Sequence, residues 1–127
     1  MEENKRTTRN FREYSVYKAA LDYATFVYQV TDKMPWFEKK GLCDQLQRAA
    51  VSISSNIAEG AARPSDADFA HFLDTSLGSA YEVETQLTIA RNVGYMDDDT
   101  FTEMNKRLQS IEKQLTAFIR SIGKSER

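Results

Sequence analysis

Apolar residues recur along this chain at intervals of three and four, the spacing that places side chains on one face of an α-helix. The last quarter of the chain shows it most regularly, with steps that alternate strictly between three and four. Such alternation is typical of the contact seam between packed helices. The apolar positions of this segment are Phe101, Met104, Leu108, Ile111, Leu115, Phe118 and Ile122. No stretch alternates apolar and polar residues with a period of two, so no sheet is predicted.

Helix-breaking residues divide the chain into four such segments. Pro35 ends the first, because the residue before a proline is pushed out of helical geometry. Pro64 separates the second segment from the third, and Gly94 separates the third from the fourth, since glycine commonly terminates a helix. Gly123 is the predicted stop of the fourth. The predicted helices cover residues 15–34, about 38–62, about 66–93 and about 101–122.

Polar residues at the predicted helix starts are expected to act as N-caps, accepting hydrogen bonds from free backbone N–H groups of the first turn. Ser15 has this position in the first helix, Ser65 in the third, and aspartates 97–99 precede the fourth. Connections of only a few residues favour antiparallel neighbours. We therefore predict an all-α protein, an antiparallel up-down-up-down four-helix bundle over residues 13–123, with a flexible basic arm at 1–12 and a tail at 124–127.

Two of the predicted helices carry a second apolar edge beside the core face. One interpretation is a wide core face with tyrosine rings partly exposed. The other is a homo-oligomer whose interface covers the extra edge, where aromatic residues would add several kcal/mol at about 25 cal/mol per Å² of buried apolar surface. The second edges consist of Tyr17, Leu21, Ala24 and Tyr28 on the first helix, and Phe72, Leu77, Tyr81 and Ile89 on the third.

The second predicted helix is rich in small residues between Arg48 and Gly60, which lets neighbouring helices approach closely. Polar residues form a stripe along it and a second stripe along the third helix. These stripes either face water or form a hydrogen-bonded layer, with each other or with a neighbouring subunit. Asn56 and Glu59 are interpreted as structural, with ligand binding as the alternative. The predicted structural and interface residues are Arg48, Ser52, Ser55, Asn56, Glu59, Ser79, Glu82 and Gln86.

The net charge of −2 hides an uneven distribution, with about +2 over residues 1–58, −8 over 59–103 and +4 over 104–127. Basic residues recur every seven positions on the side of the fourth helix opposite its apolar seam, and others cluster in the N-terminal arm. Such charges suffice for phosphate contacts. Solvated helix faces are the simpler interpretation, and the pI near 5.5 is low for a nucleic-acid binder. The candidate nucleic-acid contacts are Arg6, Arg9, Arg12, Lys106, Lys113, Arg120 and Lys124.

Groups that carry catalysis or bind metals are scarce in the sequence. The single histidine, His71, cannot supply the two Glu-x-x-His pairs of a di-iron bundle, and no nucleophile elbow accompanies it. Cys43 is the only cysteine, which excludes an intrachain disulfide and suits a reducing cytoplasm. No apolar run approaches the roughly 20 residues of a membrane span. We therefore expect a cytoplasmic protein that is not an enzyme, without catalytic residues, cofactor, metal or membrane contact.

The segment Gln45–Gly60, preceded by Gly41-Leu42 and followed by Arg63, resembles the signature of a family of small bacterial four-helix bundle proteins. The members are also called 23S rRNA intervening-sequence proteins. Later elements of the family pattern are similar as well, and the resemblance covers residues from about 14 to 122. These later elements are Phe72-Leu73, Gly78-Ser79, Glu82-Val83-Glu84-Thr85-Gln86-Leu87 and Gly94-Tyr95.

The resemblance implies a four-helix bundle that assembles as a homopentamer. Some members are encoded in insertions within large-subunit rRNA genes, and a related group, the accessory variability determinants of diversity-generating retroelements, forms basic pentamers that bind a reverse transcriptase and nucleic acid. This chain is acidic, unlike that group. The expected function is a non-enzymatic oligomeric scaffold or adaptor that binds an unknown macromolecule. The alternative is an RNA- or DNA-binding accessory protein that uses the fourth helix and the N-terminal arm.

Overall fold

Four α-helices make up most of the computed structural model, which describes the backbone of residues 9–125 and the side chains of residues 9–123. Short 3-10 turns at Phe11–Glu13 and Trp36–Glu38 precede the first two helices. No strand occurs between residues 9 and 125, so the predicted all-helical fold with four helices is confirmed. The helices are α1 (Ser15–Thr31), α2 (Leu42–Ala61), α3 (Asp66–Asn92) and α4 (Asp98–Ser125).

Two of the predicted N-caps are present. The Ser65 side chain accepts a hydrogen bond from the Asp68 backbone N–H at 3.1 Å, and Asp97 Oδ1 accepts one from the Thr100 N–H at 2.7 Å. Ser15 does not cap α1, because it is the first helical residue and its hydroxyl donates instead to Gln114 Oε1 of α4 at 3.2 Å. The serine therefore joins two helices rather than closing one.

The predicted helix ends are correct at Gly94 and wrong at two other positions. Gly94 has a φ of +86°, the left-handed conformation that a glycine adopts without strain. Gly123 keeps a negative φ and α4 continues through it to Ser125, because an exposed glycine weakens a helix without necessarily ending it. Helix α1 ends at Thr31, earlier than the Pro35 rule predicts, and the following turn brings Met34 into the core.

Each helix packs against its neighbours in the chain, and α1 also packs against α4. One face of α3 is buried throughout, and the central positions of the α4 seam are fully enclosed. The buried face of α3 consists of Phe69, Leu73, Ser76, Ala80, Val83, Leu87 and Ala90. The ends of that seam, Phe101 and Phe118, are only partly buried and lie against the core. The largest fully buried side chains are Tyr23, Val27, Leu46, Ile53, Ile57, Leu73, Val83, Leu87, Met104, Leu108, Ile111 and Leu115.

The contact between α2 and α3 leaves no room for a side chain at Gly60, near the end of α2. A Cβ atom at this position would lie 2.6 Å from Phe72 Cβ and 3.0 Å from Phe69 Cδ1. The first distance is well inside van der Waals contact, so the two helices can lie this close only because position 60 has no side chain. Gly78 on α3 provides a contrast, since a Cβ there would meet no atom within 4 Å.

Replacing Gly60 by alanine is expected to lower the free energy of unfolding by about 1–2 kcal/mol. The cost of overpacking exceeds the gain in helix propensity. Gly78→Ala is the matched control and is expected to raise it by about 0.5–1 kcal/mol. Urea denaturation followed by circular dichroism measures both values. Equal stabilisation by the two substitutions would contradict the close approach at Gly60.

Candidate functional site

A polar layer joins α2 and α3 at their middle. The Ser52 and Ser79 hydroxyl oxygens are 2.8 Å apart, and either can donate. Asn56 Nδ2 donates to the Ser52 carbonyl oxygen at 2.8 Å and to the Ser52 hydroxyl at 2.9 Å. Asn56 is partly buried. The polar stripes of the two helices therefore bond to each other within one chain.

Two buried polar residues of α3 extend this layer. The Ser76 hydroxyl, which is fully buried, donates to the Ile53 carbonyl oxygen at 2.7 Å. Gln86 Nε2 donates to Gln45 Oε1 at 3.4 Å and to Glu82 Oε2 at 3.2 Å. Ser76 lies on the buried face of α3, at helical spacing from Leu73 and Ala80. The sequence pattern therefore does not predict its hydrogen bond to α2. The layer sets the register of α3 on α2, since each hydroxyl meets one specific partner.

The remaining predicted interface residues do not join the layer. Arg48 Nε donates to Asp44 Oδ2 at 2.9 Å within α2, and its side chain is 78% exposed. Ser55 is partly buried and Glu59 is exposed. Both lie beside the layer, on the outer surface of α2, together with Arg48 and Asn56. These residues therefore belong to a surface that faces away from the core.

An apolar groove runs along the outside of α1 and α2. Three large residues on its sides are exposed although apolar, with Leu21 at 44%, Tyr28 at 50% and Val51 at 40%. Small side chains of α2 form much of its lining, so a neighbouring helix could approach closely. This surface, hereafter the α1–α2 groove, is lined by Tyr17, Leu21, Ala24, Thr25, Tyr28, Val51, Ser54, Ser55 and Ala58.

Arg9 of the predicted basic arm is held against the bundle. Its guanidinium donates to Asp66 Oδ1 at 2.6 Å and to the carbonyl oxygens of Ala61 and Arg63, and lies 4.9 Å from the Phe69 ring centre. The side chain is only 13% exposed. Its charge is therefore largely used within the chain, where it fixes the residues before α1 to the turn between α2 and α3.

The other candidate nucleic-acid contacts are spread over the surface. Arg12 is exposed, with its guanidinium 4.5 Å from the Phe11 ring centre. On α4, Lys106, Lys113 and Arg120 are all exposed, and none of the ion pairs found in the described part of the chain includes them. Lys113 and Arg120 line a shallow groove between α3 and α4. Arg6 and the side chain of Lys124 lie outside the described residues.

Groups with catalytic potential are dispersed in the described part of the chain. Cys43 is buried, and burial together with the nearby charge of Glu38 raises the pKa of its thiol. His71 is exposed on α3. No three His, Cys, Asp or Glu side chains among the described residues are grouped so that they could hold a metal ion. None of the described helices combines the length and hydropathy needed to cross a bilayer.

A pair of carboxyl groups between α3 and α4 escapes the sequence analysis. The side chains of Glu84 and Glu112 lie close enough to hydrogen-bond when one of them is protonated, and Tyr23 of α1 lies near them in the core. Burial, followed by the hydrogen bond and charge of Glu84, raises the pKa of Glu112 to about 7. The only signal in the sequence is the position of Glu112 directly after Ile111 of the apolar seam, which does not reveal its partner.

Comparison with known proteins matches a family model and solved structures. A family model described as 23S rRNA-intervening sequence protein matches residues 12–117. The chain is also similar to a crystal structure from Bacteroides thetaiotaomicron VPI-5482, a protein with unknown function from the S23 ribosomal protein family. That structure is 27% identical in sequence, with a TM-score of 0.73 over 82% of this chain and 97% of the other. No curated protein matches.

Replacing Arg9 by alanine is expected to destabilise the bundle by about 1–3 kcal/mol, because the Asp66 carboxylate and two carbonyl oxygens lose a charged donor. Arg12→Ala removes the same charge from an exposed position and is expected to change the free energy of unfolding by less than about 0.5 kcal/mol. Denaturant unfolding compares the two variants. Equal changes in the free energy of unfolding would show that the contacts of Arg9 do not stabilise the bundle.

Proposed function

This chain belongs to the 23S rRNA-intervening sequence protein family, and we propose that it is a non-enzymatic oligomeric scaffold or adaptor that binds a macromolecular partner. The α1–α2 groove is the observation that carries the proposal. It presents Leu21, Tyr28 and Val51 to solvent beside a lining of small residues. Burial of such a surface against another copy gains free energy at about 25 cal/mol per Å².

A second apolar surface lies on α3, away from the groove. Tyr81 is 54% exposed and Ile89 is 47% exposed. Two different apolar surfaces on one chain favour a heterologous contact, in which the α3 surface of one copy meets the α1–α2 groove of the next. Such contacts close into rings when the rotation between copies allows. A ring of five copies is proposed because it is the assembly implied by the family resemblance.

The up-down-up-down order within each copy is supported by the polar layer. Gln45 bonds to Gln86, Ser52 to Ser79, and the carbonyl of Ile53 to Ser76. Residue numbers rise along α2 while those of their partners fall along α3, as they do in antiparallel neighbours. The connection between these helices spans only residues 62–65 and that between α3 and α4 only residues 93–97, lengths that favour antiparallel neighbours.

The non-enzymatic role is supported by the state of the two side chains most suited to nucleophilic or acid–base chemistry. The raised pKa of the Cys43 thiol keeps it protonated, and a protonated thiol is a poor nucleophile. His71 is exposed on α3, where its ring lies against that of Phe72, with ring centres 6.4 Å apart. The polar side chains of Ser52, Asn56 and Ser79 form hydrogen bonds in the contact between α2 and α3.

A second candidate function, binding of RNA or DNA, is favoured by the basic residues of α4. Lys106, Lys113 and Arg120 are exposed, and no ion pair in the described part of the chain uses their charges. Their spacing of seven residues places them along one side of the helix. A polyanion could contact all three at once, with affinity that falls as salt rises.

Val51→Lys tests the oligomeric scaffold. Val51 is already 40% exposed, so a lysine costs little within one chain but places a charge in the proposed interface. Light scattering after size exclusion is expected to give an oligomer for the wild type and mostly 14.5 kDa chains for the variant. Trp36→Lys introduces the same charge at an 86% exposed position in the turn before α2, away from both apolar surfaces, and is expected to leave the oligomer intact. A monomeric wild type at micromolar concentration would contradict the proposal.

Neutralising Lys106, Lys113 and Arg120 together by glutamine tests the second function. The slope of log affinity for single-stranded RNA against log salt is expected to fall by about 2, at about 0.7 for each lost phosphate contact. Glutamine at Lys33, Lys39 and Lys40 removes three charges elsewhere and serves as the control. Filter binding across salt concentrations measures both slopes. Equal losses in the two triple variants, or no binding at low salt, would exclude α4 as the contact surface.

A further inference from the structure

Two carboxyl groups meet where α4 packs on α3. Glu84 and Glu112 are both partly buried, and their side chains are within hydrogen-bonding distance. Oε2 of Glu112 is enclosed by protein and receives no hydrogen bond from any N–H or O–H group of the described residues. An ionised carboxylate has only acceptor atoms. The contact between the two groups is therefore a hydrogen bond only when one of them carries a proton.

A third group, from α1, lies beside the pair. Tyr23 is 1% exposed, and its hydroxyl has no hydrogen-bond partner among the described residues. Burial raises the pKa of this phenol most, the charges of Glu112 and Glu84 raise it further, and the charge of Arg107 lowers it in part. The hydroxyl thus remains a neutral group close to the pair. Three helices contribute one polar side chain each to this part of the core.

No ion pair in the described part of the chain joins a lysine or arginine to Glu84 or Glu112. On α4, Arg107 donates to Glu103 Oε2 at 2.7 Å and its guanidinium lies 4.4 Å from the Phe26 ring centre. Lys113 and Arg120 line the outer groove with Glu112 and Tyr81 and are exposed to water.

On α2, which packs against the other side of α3, Arg48 is bonded to Asp44. The raised pKa of Glu112 reflects burial and the carboxyl of Glu84, with no cation to lower it. Two neighbouring carboxylates repel strongly when partly shielded from water. A single proton removes this repulsion and supplies the hydrogen bond between the two groups.

We propose that Glu112 takes up a proton as the pH falls through neutrality and donates it to the Glu84 carboxylate, and that this hydrogen bond holds α4 against α3, so that the packing of the two helices responds to pH. The pair is a proton-binding site within the bundle. It does not depend on the oligomeric state.

The direction of the response follows from the pKa of Glu112, which is raised from its ordinary value near 4.5 to about 7 in the folded chain. The folded state then binds a proton that the unfolded state has released between these two pH values. The stabilisation is fully present below pH 4.5 and is lost as the pH rises through about 7. One proton of difference changes the unfolding equilibrium by up to tenfold per pH unit.

The experiment combines carboxyl ¹³C NMR with thermal unfolding of the full chain from pH 5 to pH 9. The Glu112 signal, assigned by its loss in Glu112→Gln, is expected to titrate near pH 7. The unfolding temperature of the wild type is expected to fall across this range. Glu112→Gln is expected to remove that fall, because glutamine replaces the protonated acid with a donor that never titrates. Glu84→Gln gives the same test from the other partner if the first variant does not fold.

Glu103→Gln is the matched control. It removes an exposed carboxylate of α4 that is bonded to Arg107, and the pH response of the wild type is expected to remain. Titration of Glu112 near 4.5 would overturn the proposal. So would a pH response of equal size in wild type and Glu112→Gln. A Glu112 titration that moves to lower pH when Mg²⁺ or Ca²⁺ is added at millimolar concentration would also overturn it, because the pair would then bind a cation.

Discussion

The close approach of α2 to α3 is the constraint on which the rest of the structure depends. At Gly60 the helices leave no room for a Cβ atom, and at Ser52 and Ser79 two hydroxyl oxygens bond directly. Large side chains at these positions would separate the helices and break the polar layer. Because interiors are closely packed, such a contact has one favourable register. That register decides which face of α2 is left for the α1–α2 groove.

The helical fold follows closely from local sequence pattern, whereas the contacts across helices do not. The seam of α4 and the stripe of α3 have one dominant period, so they predict buried faces correctly. Residues whose role depends on a distant partner escape this reasoning. Arg9 looks like part of a basic arm until Asp66, 57 positions later, is placed beside it. Glu112 looks like a surface charge until Glu84 is found next to it.

Family membership and the chemistry of the exposed surface bear on the function of this chain in different ways. The family model covers most of the chain, and the similar structure from Bacteroides thetaiotaomicron VPI-5482 is itself a protein with unknown function. The proposed function therefore rests on the exposed surface of the chain. Leu21, Tyr28 and Val51 expose apolar side chains that no described residue covers, while the polar residues of α2 and α3 are largely used in their mutual contact. This division suits a protein that works through assembly.

Hydrogen–deuterium exchange of the wild-type chain at low and high protein concentration tests most directly whether the α1–α2 groove is an interface between copies. Peptides of α1 and α2 that line the groove, and those of α3 around Tyr81, are predicted to exchange more slowly at high concentration. Peptides elsewhere, such as those around the turn at Trp36, are predicted to be unaffected. Exchange that is independent of concentration, with the groove as open as the turn, would contradict the account.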